Sequence, residues 1–195
     1  MDPETLAAYE ATAADFARDW HAQPMPGDLQ ALVRRFFVPG PTADIGCGGG
    51  REAAWLVANG FPTTGFDPSE ALLHEARARY PGLAFRQGAL PELAGIADAS
   101  FANVLCETVI MHLPLEAIAP SVARLIAILR PGGILYLSWR VTHDADRRDT
   151  QGRLYTAFPT ALVTDALREA TMLHDEDAIS ASSGKPIHRV VAAKR

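Results

Sequence analysis

Segments with the pattern of buried β-strands alternate with helical segments through most of the chain, and this alternation restricts the possible folds more than any other feature of the sequence. The strand-like segments are TADIG (42–46), TTGFD (63–67), LAFRQ (83–87), FANVLCE (101–107) and ILYLSW (134–139). The helical segments are Arg51–Ala58, Ser69–Arg79, Leu115–Leu129 and Phe158–Ala170. Alternation of this kind is typical of α/β proteins with a doubly wound, mostly parallel sheet and helices on both of its faces.

The two ends of the chain depart from this alternation. Two helical patterns, over residues 3–21 and Leu29–Phe37, precede the first strand-like segment. Two further strand-like segments, Met172–Ile179 and His188–Ala193, follow the last helical one and are separated by a short polar stretch. A connection that short cannot cross over a sheet, so these last two strands are predicted to pair antiparallel at one edge.

A cluster of glycines, in the stretch DIGCGGG (44–50), lies between the first strand-like segment and the helix that follows it. Glycine costs roughly 0.5–1 kcal/mol relative to alanine in an ordered element, so such a cluster indicates a tight turn or a ligand against bare backbone. In a doubly wound sheet, ligands bind beyond the carboxyl ends of the strands. Asp67 ends the next strand, about 20 residues later, where an acidic residue can bind ribose hydroxyls. The sequence therefore predicts a ligand that contains a nucleoside.

Two classes of nucleoside ligand compete for this loop. The dinucleotide pattern G-x-G-x-x-G fails, because Arg51 occupies the third glycine position, whereas the pattern acid-x-G-x-G-x-G fits residues 44–50. A P-loop is excluded, since no GK[ST] follows. An NAD(P)-dependent oxidoreductase and a nucleoside-binding module without catalytic activity stay open as alternatives.

Several motifs, in order, make the sequence resemble the class I S-adenosylmethionine-dependent methyltransferases over about residues 40–140. DIGCGGG is similar to the first motif of that family and GFDPS, with Asp67, to the second. RQGALPEL, SFANVLCETVIMHLP and LRPGGILYLSW resemble the later ones. The resemblance implies a mostly parallel seven-stranded sheet with an antiparallel C-terminal strand. It also implies a single methyltransferase domain over residues 1–195, with an N-terminal helical cap or lid (1–39) and a Rossmann-like core (40–195).

The resemblance also implies residues that bind the cofactor S-adenosylmethionine. These are Asp44, Gly46, Cys47, Gly48, Asp67, Pro68, Ala89, Leu90 and Cys106. Asp44 is expected to face the ammonium end of the cofactor and Asp67 to bind its ribose. Ala89 departs from the family, many of whose members carry aspartate at that position. Asn103 departs in the same way, and there we expect a structural role.

Methyl transfer from a sulfonium needs mainly proximity and alignment, and a general base helps only where the acceptor loses a proton. The candidate catalytic residues are His112 and Glu107, which follow the fourth strand-like segment. Arg140 and His143, after the fifth, could meet an acidic acceptor or lie in a solvated loop.

An aromatic stripe runs along the first helical segment, where Tyr9, Phe16 and Trp20 recur at helical spacing. These side chains either pack on the sheet or form a lid over the cofactor, and the spacing does not separate the two interpretations.

Charge and composition restrict the kinds of partner and the cellular location that we expect for this chain. The net charge is −5, and the basic pair Arg147-Arg148 is flanked by aspartates, so we expect a solvated loop there and no nucleic-acid partner. The only cysteines, Cys47 and Cys106, have no metal-ligand spacing, so no metal is expected. Without a signal-like or membrane-spanning stretch, we expect a cytoplasmic monomer or homodimer. Since no added domain is evident, the expected acceptor is a small molecule.

Overall fold

A seven-stranded sheet forms the centre of the computed structural model, which describes residues 1–181 and 183–195. The helices are α1 (Pro3–Ala22), α2 (Gly27–Phe36), α3 (Arg51–Ala58), α4 (Glu70–Arg79), α5 (Leu115–Ala127) and α6 (Ala161–Ala166). The strands are β1 (Thr42–Ile45), β2 (Thr63–Asp67), β3 (Ala84–Gln87), β4 (Phe101–Glu107), β5 (Leu129–Arg140), β6 (Arg147–Arg148), β7 (Leu154–Tyr155), β8 (Thr171–Ile179) and β9 (Pro186–Ala193).

The strands of the main sheet follow the order β3-β2-β1-β4-β5-β9-β8. The first five are parallel, and β9 lies antiparallel between β5 and β8. The predicted antiparallel ending is therefore confirmed. The order reverses between β1 and β4, which creates a crevice at the carboxyl ends of these strands, the usual place for a ligand in such sheets.

Hydrophobic side chains cover both faces of the sheet. On one face a large cluster joins the strands to α5 and α6, and on the other a smaller cluster joins them to α2 and α3. Asn103, on β4, fixes the segment before β1: its amide accepts from Val38 N (2.9 Å) and donates to Val38 O (2.8 Å) and Thr42 Oγ1 (3.0 Å). Asn103 thus has the structural role that the sequence predicts.

Three segments differ from the sequence-based expectation by several residues. Strand β5 begins at Leu129, five residues before the predicted start at Ile134. Helix α6 covers only 161–166 of the predicted 158–170, since Pro159 precedes it and turns follow it. The segment 143–156, expected to be an irregular loop, contains the antiparallel pair of β6 and β7, which forms a second, two-stranded sheet. Two residues are too few to show the alternation that identifies a strand.

None of the described helices combines the length and the apolar character that crossing a membrane requires.

Candidate active site

A cavity of about 670 Å³ opens at the carboxyl ends of β1, β2, β4 and β5. Its walls are the glycine loop, the strand ends, helix α1 and the β6–β7 hairpin. This size lies within the usual range for cavities that hold small molecules and cofactors.

The glycines of the loop serve two purposes. At Gly46 (φ +76°) a Cβ would collide with Val109, and at Gly50 (φ +83°) it would lie 2.7 Å from Phe85 Cζ, so packing requires both. Gly48 (φ +51°) differs, because a Cβ there would meet only Phe16 Cε1, at 3.7 Å. Gly48 lines the cavity. The loop therefore presents bare backbone to a ligand at this glycine.

Four carboxylates from different elements line the same cavity: Asp44 on β1, Glu52 on α3, Asp67 on β2 and Glu107 on β4. Burial raises the pKa of Asp67 to about 6 and that of Glu107 to about 7, and it raises the pKa of Asp44 well above its usual range. Within residues 1–181 and 183–195, Asp44 Oδ2 is buried without a hydrogen-bond partner. Carboxylates buried together in this way favour a cationic ligand.

Asp67 also holds the glycine loop in place. Its Oδ2 accepts from Gly48 N (2.8 Å) and its Oδ1 from Ser69 N (2.9 Å), so one carboxylate links the loop to the start of α4. The ends of β1 and β2 are thereby fixed relative to each other around the cavity.

His112 lies in the cavity wall with a defined tautomer. Its Nδ1 is 2.5 Å from Leu154 O, and a carbonyl oxygen can only accept, so Nδ1 carries the proton. Nε2 is then free to accept from the Tyr9 hydroxyl, at 3.2 Å. Burial lowers the pKa of His112 to about 4. The imidazole is therefore neutral at pH 7.

Glu107, the other candidate catalytic residue, ends β4 and lines the cavity. Its Oε2 accepts from Ser138 Oγ, at 2.5 Å, on the neighbouring strand β5. This hydrogen bond orients the carboxylate toward a defined position at the strand ends.

Helix α1 covers the cavity with the aromatic stripe that the sequence indicated. Phe16 lies against Gly48, and Trp20 Nε1 donates to both oxygens of Glu52 at 3.3 Å. Arg51 anchors the end of the helix: its Nη1 donates to Trp20 O (2.8 Å), and its guanidinium lies 4.4 Å from the Trp20 ring centroid. The stripe thus forms a lid. Arg51, which stands where the dinucleotide pattern has its third glycine, holds this lid in place.

Seven of the eleven predicted site residues line the cavity, namely Asp44, Gly46, Cys47, Gly48, Asp67, Glu107 and His112. Pro68, Ala89, Leu90 and Cys106 do not. The side chains of Leu90 and Cys106 lie in the large hydrophobic cluster instead. For Cys106 the reason is strand alternation, since it points into the core one residue before Glu107 reaches the cavity. Its thiol therefore does not reach a ligand in the cavity.

The β6–β7 hairpin brings basic residues to the cavity that the sequence analysis placed in a solvated loop. Arg147, Arg148 and Arg153 line the cavity, as does Arg140 at the end of β5, whereas His143 does not. The expectation for Arg147-Arg148 was wrong. The flanking aspartates suggested local pairing, but Arg148 pairs with Asp2 (2.8 Å) and Glu4 (3.2 Å), far away in the sequence.

Comparison with known proteins agrees with this geometry. A family model described as a methyltransferase domain matches residues 43–137. The chain is 38% identical over 122 residues to the trans-aconitate 2-methyltransferase of Deinococcus radiodurans, covering 60% of this chain and 44% of that protein. It is 36% identical over 129 residues to the protein of the same name from Rhizobium meliloti, covering 64% and 48%. Residues 43–137 therefore match the methyltransferase-domain family, in agreement with the resemblance to class I S-adenosylmethionine-dependent methyltransferases.

A solved structure extends the similarity in fold over nearly the whole chain. The Burkholderia thailandensis 1,6-didemethyltoxoflavin-N1-methyltransferase, with bound 1,6-didemethyltoxoflavin and S-adenosylhomocysteine, matches with a TM-score of 0.77 at 22% identity. The match covers 98% of this chain and 87% of that one, and at this identity it shows the shared fold. In contrast, the chain spans less than half the length of the two sequence relatives above.

Proposed function

We propose that this chain transfers the methyl group of S-adenosylmethionine to a small-molecule acceptor. The observation that carries the proposal is the set of four carboxylates, of which Asp44, Glu52 and Asp67 are buried and Glu107 is half-buried, around a glycine loop with one bare position, Gly48. S-adenosylmethionine has cationic sulfonium and ammonium groups and a ribose, so it satisfies each of these features. The match of residues 43–137 to the methyltransferase-domain family supports the same conclusion.

The residues present fit this cofactor. Asp44, with its unpartnered Oδ2, and Glu107 would hold the cationic methionine portion, and Asp67 would bind the ribose. Gly46 and Gly48 would leave room for the chain of the cofactor along the loop. When bound, S-adenosylmethionine supplies an electrophilic methyl group on a positively charged sulfur.

Tyr9 and His112 are the groups placed to handle a proton. Burial raises the pKa of Tyr9 to about 12, so its hydroxyl stays protonated and donates to His112 Nε2. We propose that, where the acceptor must lose a proton, neutral His112 takes it at Nε2 through the Tyr9 hydroxyl. Helix α1, closing over this pair, excludes water from the reacting atoms.

We further propose that residues 1–195 act as one domain, with 1–39 as the cap of a 40–195 core. The support is that α1 and the strand ends contribute to the same cavity. A cytoplasmic location suits the two buried free thiols, Cys47 and Cys106. The net charge of −5 argues against a nucleic-acid partner, and we propose a monomer or homodimer.

Calorimetric titration with S-adenosylhomocysteine tests the cofactor, with NAD as the matched nucleotide control. We expect micromolar binding of the first and no binding of NAD. Asp67→Ala should weaken binding at least tenfold, because the charge-assisted bonds that hold Gly48 are lost together with the ribose contact. Asp165→Ala, at an exposed position on α6, serves as the control variant.

Binding of NAD in place of S-adenosylhomocysteine would mean that the loop holds a dinucleotide, and the proposal would be wrong. Unchanged affinity in Asp67→Ala would remove Asp67 from the site. With cofactor binding established, transfer of labelled methyl from S-adenosylmethionine to small acceptors tests turnover, and binding without transfer to any acceptor would favour a non-catalytic module.

A further inference from the structure

Tyr155, on β7, holds two arginines at the end of the cavity away from the glycine loop. The guanidinium carbon of Arg140 lies 5.0 Å from the Tyr155 ring centroid and that of Arg147 lies 5.8 Å from it. Tyr155 is itself buried and packs edge-on against His112, with ring centroids 4.9 Å apart. Two positive charges are thus placed on one rigid ring, next to the groups that can handle a proton.

These two arginines differ from the other cations of the hairpin in their pairing. Arg148 is paired with Asp2 and Glu4, and Arg153 with Asp149 at 2.7 Å. For Arg140 and Arg147, no hydrogen bond or ion pair is made by the side chain with any residue in 1–181 or 183–195. Two arginines of the hairpin are therefore neutralised, whereas Arg147 of the hairpin and Arg140 at the end of β5 stay available to the cavity.

Unpaired like charges held beside each other repel, and an anion between them removes the repulsion. Arginine is suited to this purpose, since its planar fork matches a carboxylate with two parallel hydrogen bonds. Lys185, at the rim of the same cavity, adds a third positive charge. An anionic ligand at this end of the cavity would neutralise the positive charges of Arg140 and Arg147.

The two ends of the cavity therefore carry opposite charges. Carboxylates cluster at the glycine loop, where a cation is favoured, and cations cluster at the hairpin, where an anion is favoured. A positively charged cofactor and a negatively charged acceptor would be drawn to opposite ends of one cavity, which orients both before reaction.

We infer that the methyl acceptor is a small molecule that carries a carboxylate group, held by Arg140 and Arg147 on the ring of Tyr155. The inference rests on the proposed function, because it names the acceptor of that same cavity. It assigns Arg140 and Arg147 as specificity-determining residues and Tyr155 as the residue that positions them.

Calorimetry on protein saturated with S-adenosylhomocysteine tests this inference, and the same titrations on the free protein separate it from cofactor binding. The probes are succinate, glutarate and propane-1,2,3-tricarboxylate, each compared with its neutral methyl ester. We expect at least one acid to bind and its ester not to bind, with affinity that falls as NaCl rises from 50 to 300 mM.

Substitutions test whether the acid binds at Arg140 and Arg147. Arg140→Ala and Arg147→Ala should each lower the affinity for the acid at least tenfold, and Arg140→Lys should lower it less. Arg168 is an exposed arginine on another surface, so Arg168→Ala should leave the affinity for the acid unchanged. Affinity for S-adenosylhomocysteine, measured in the same variants, shows whether the cofactor end is intact. Tyr155→Phe should keep the acid affinity and Tyr155→Leu should lower it, since the ring positions the arginines.

The outcomes separate the two proposals. Binding of S-adenosylhomocysteine with no binding of any acid, or with acid affinity unchanged in both alanine variants, overturns the acceptor and leaves the cofactor standing. Equal binding of acids and esters also overturns it, because charge would then play no part. Acid binding that depends on the arginines in a protein that fails to bind S-adenosylhomocysteine supports the anion site and refutes the methyltransferase proposal.

Discussion

Gly46 and Gly48 lie two residues apart in the same loop, but a Cβ at each position would meet different surroundings. Gly46 faces Val109, inside the protein, and Gly48 faces the cavity. Packing needs the first and the ligand needs the second. Substitution by alanine at each position therefore separates stability from binding.

We expect Gly46→Ala to lose about 2–4 kcal/mol of stability, from overpacking against Val109 and a positive φ. Gly48→Ala should lose only about 1 kcal/mol, from its positive φ, but bind S-adenosylhomocysteine at least tenfold more weakly. Denaturant unfolding and calorimetry measure the two effects. Gly82→Ala, where a Cβ meets nothing within 4 Å, is the control. Full affinity in Gly48→Ala would show that the ligand does not approach this backbone.

We expect the carboxylate of Glu107 to make cofactor affinity depend on pH. Burial raises its pKa to about 7, so the group is charged above that pH and neutral below it. The attraction for a cation is therefore present above pH 7 and lost as the pH falls through 7. Asp67, with a pKa raised to about 6, extends the loss to lower pH.

We expect S-adenosylmethionine to bind several-fold more weakly at pH 6 than at pH 7.5. Glu107→Gln should bind more weakly at pH 7.5 and show a smaller change with pH, whereas Glu169→Gln, an exposed control, should follow the native protein. Calorimetry in buffers of matched ionic strength provides the comparison. An identical pH dependence in Glu107→Gln would exclude this carboxylate as its source.

At the scale of elements, a buried ion pair at the start of α3 anchors the C-terminal end of α1. Arg51 Nη1 donates to Trp20 O and Gln23 O, and its guanidinium also pairs with Glu52, whose carboxylate accepts from Trp20. The lid is thus attached at its C-terminal end to the first two residues of α3.

We expect Arg51→Ala to lower the free energy of unfolding by about 3–5 kcal/mol, because a buried Glu52 is left unpaired. Amide hydrogen exchange should speed up more in α1 than in the sheet, relative to the native protein. The double variant Arg51→Met, Glu52→Gln should regain much of the stability while α1 stays exchange-prone. Arg86→Ala, an exposed arginine on β3, is the control. Unchanged protection of α1 in Arg51→Ala would mean that other contacts hold the lid.

The elements themselves were largely predictable from the sequence. The bounds of α3 and β2 are those predicted, because Gly50 and Asn59 flank α3 and Pro62 and Pro68 flank β2. The β6–β7 pair was missed because each strand has two residues and no pattern of its own. The shortening of α6 to Ala161–Ala166 follows from turns that only the packed chain shows.

At the scale of the whole molecule, binding should raise the melting temperature. A ligand at 100 times its dissociation constant stabilises the folded state by about 2.7 kcal/mol. For a chain of this size that corresponds to a rise of about 5–11 °C. We expect this rise with S-adenosylhomocysteine and none with NAD at the same concentration, as measured by scanning calorimetry. A comparable rise with NAD would contradict the proposed cofactor.

The sequence by itself determined the class of fold and the cofactor end of the cavity. Residues at strand ends, such as Asp44, Asp67 and Glu107, were predictable because the carboxyl ends of parallel strands meet at one edge. The glycine loop was predictable because its residues are contiguous. Both signals are local in the chain.

Only the tertiary structure shows which residues form the end of the cavity at the β6–β7 hairpin. Arg148 meets Asp2 across 146 residues of sequence, and this pairing helps bring the hairpin with Arg147 to the cavity. Burial, a property of the packed molecule, lowers the pKa of His112. Long-range contacts and burial have no local sequence signal, so the acceptor end and the protonation of the site emerge only once the chain is folded.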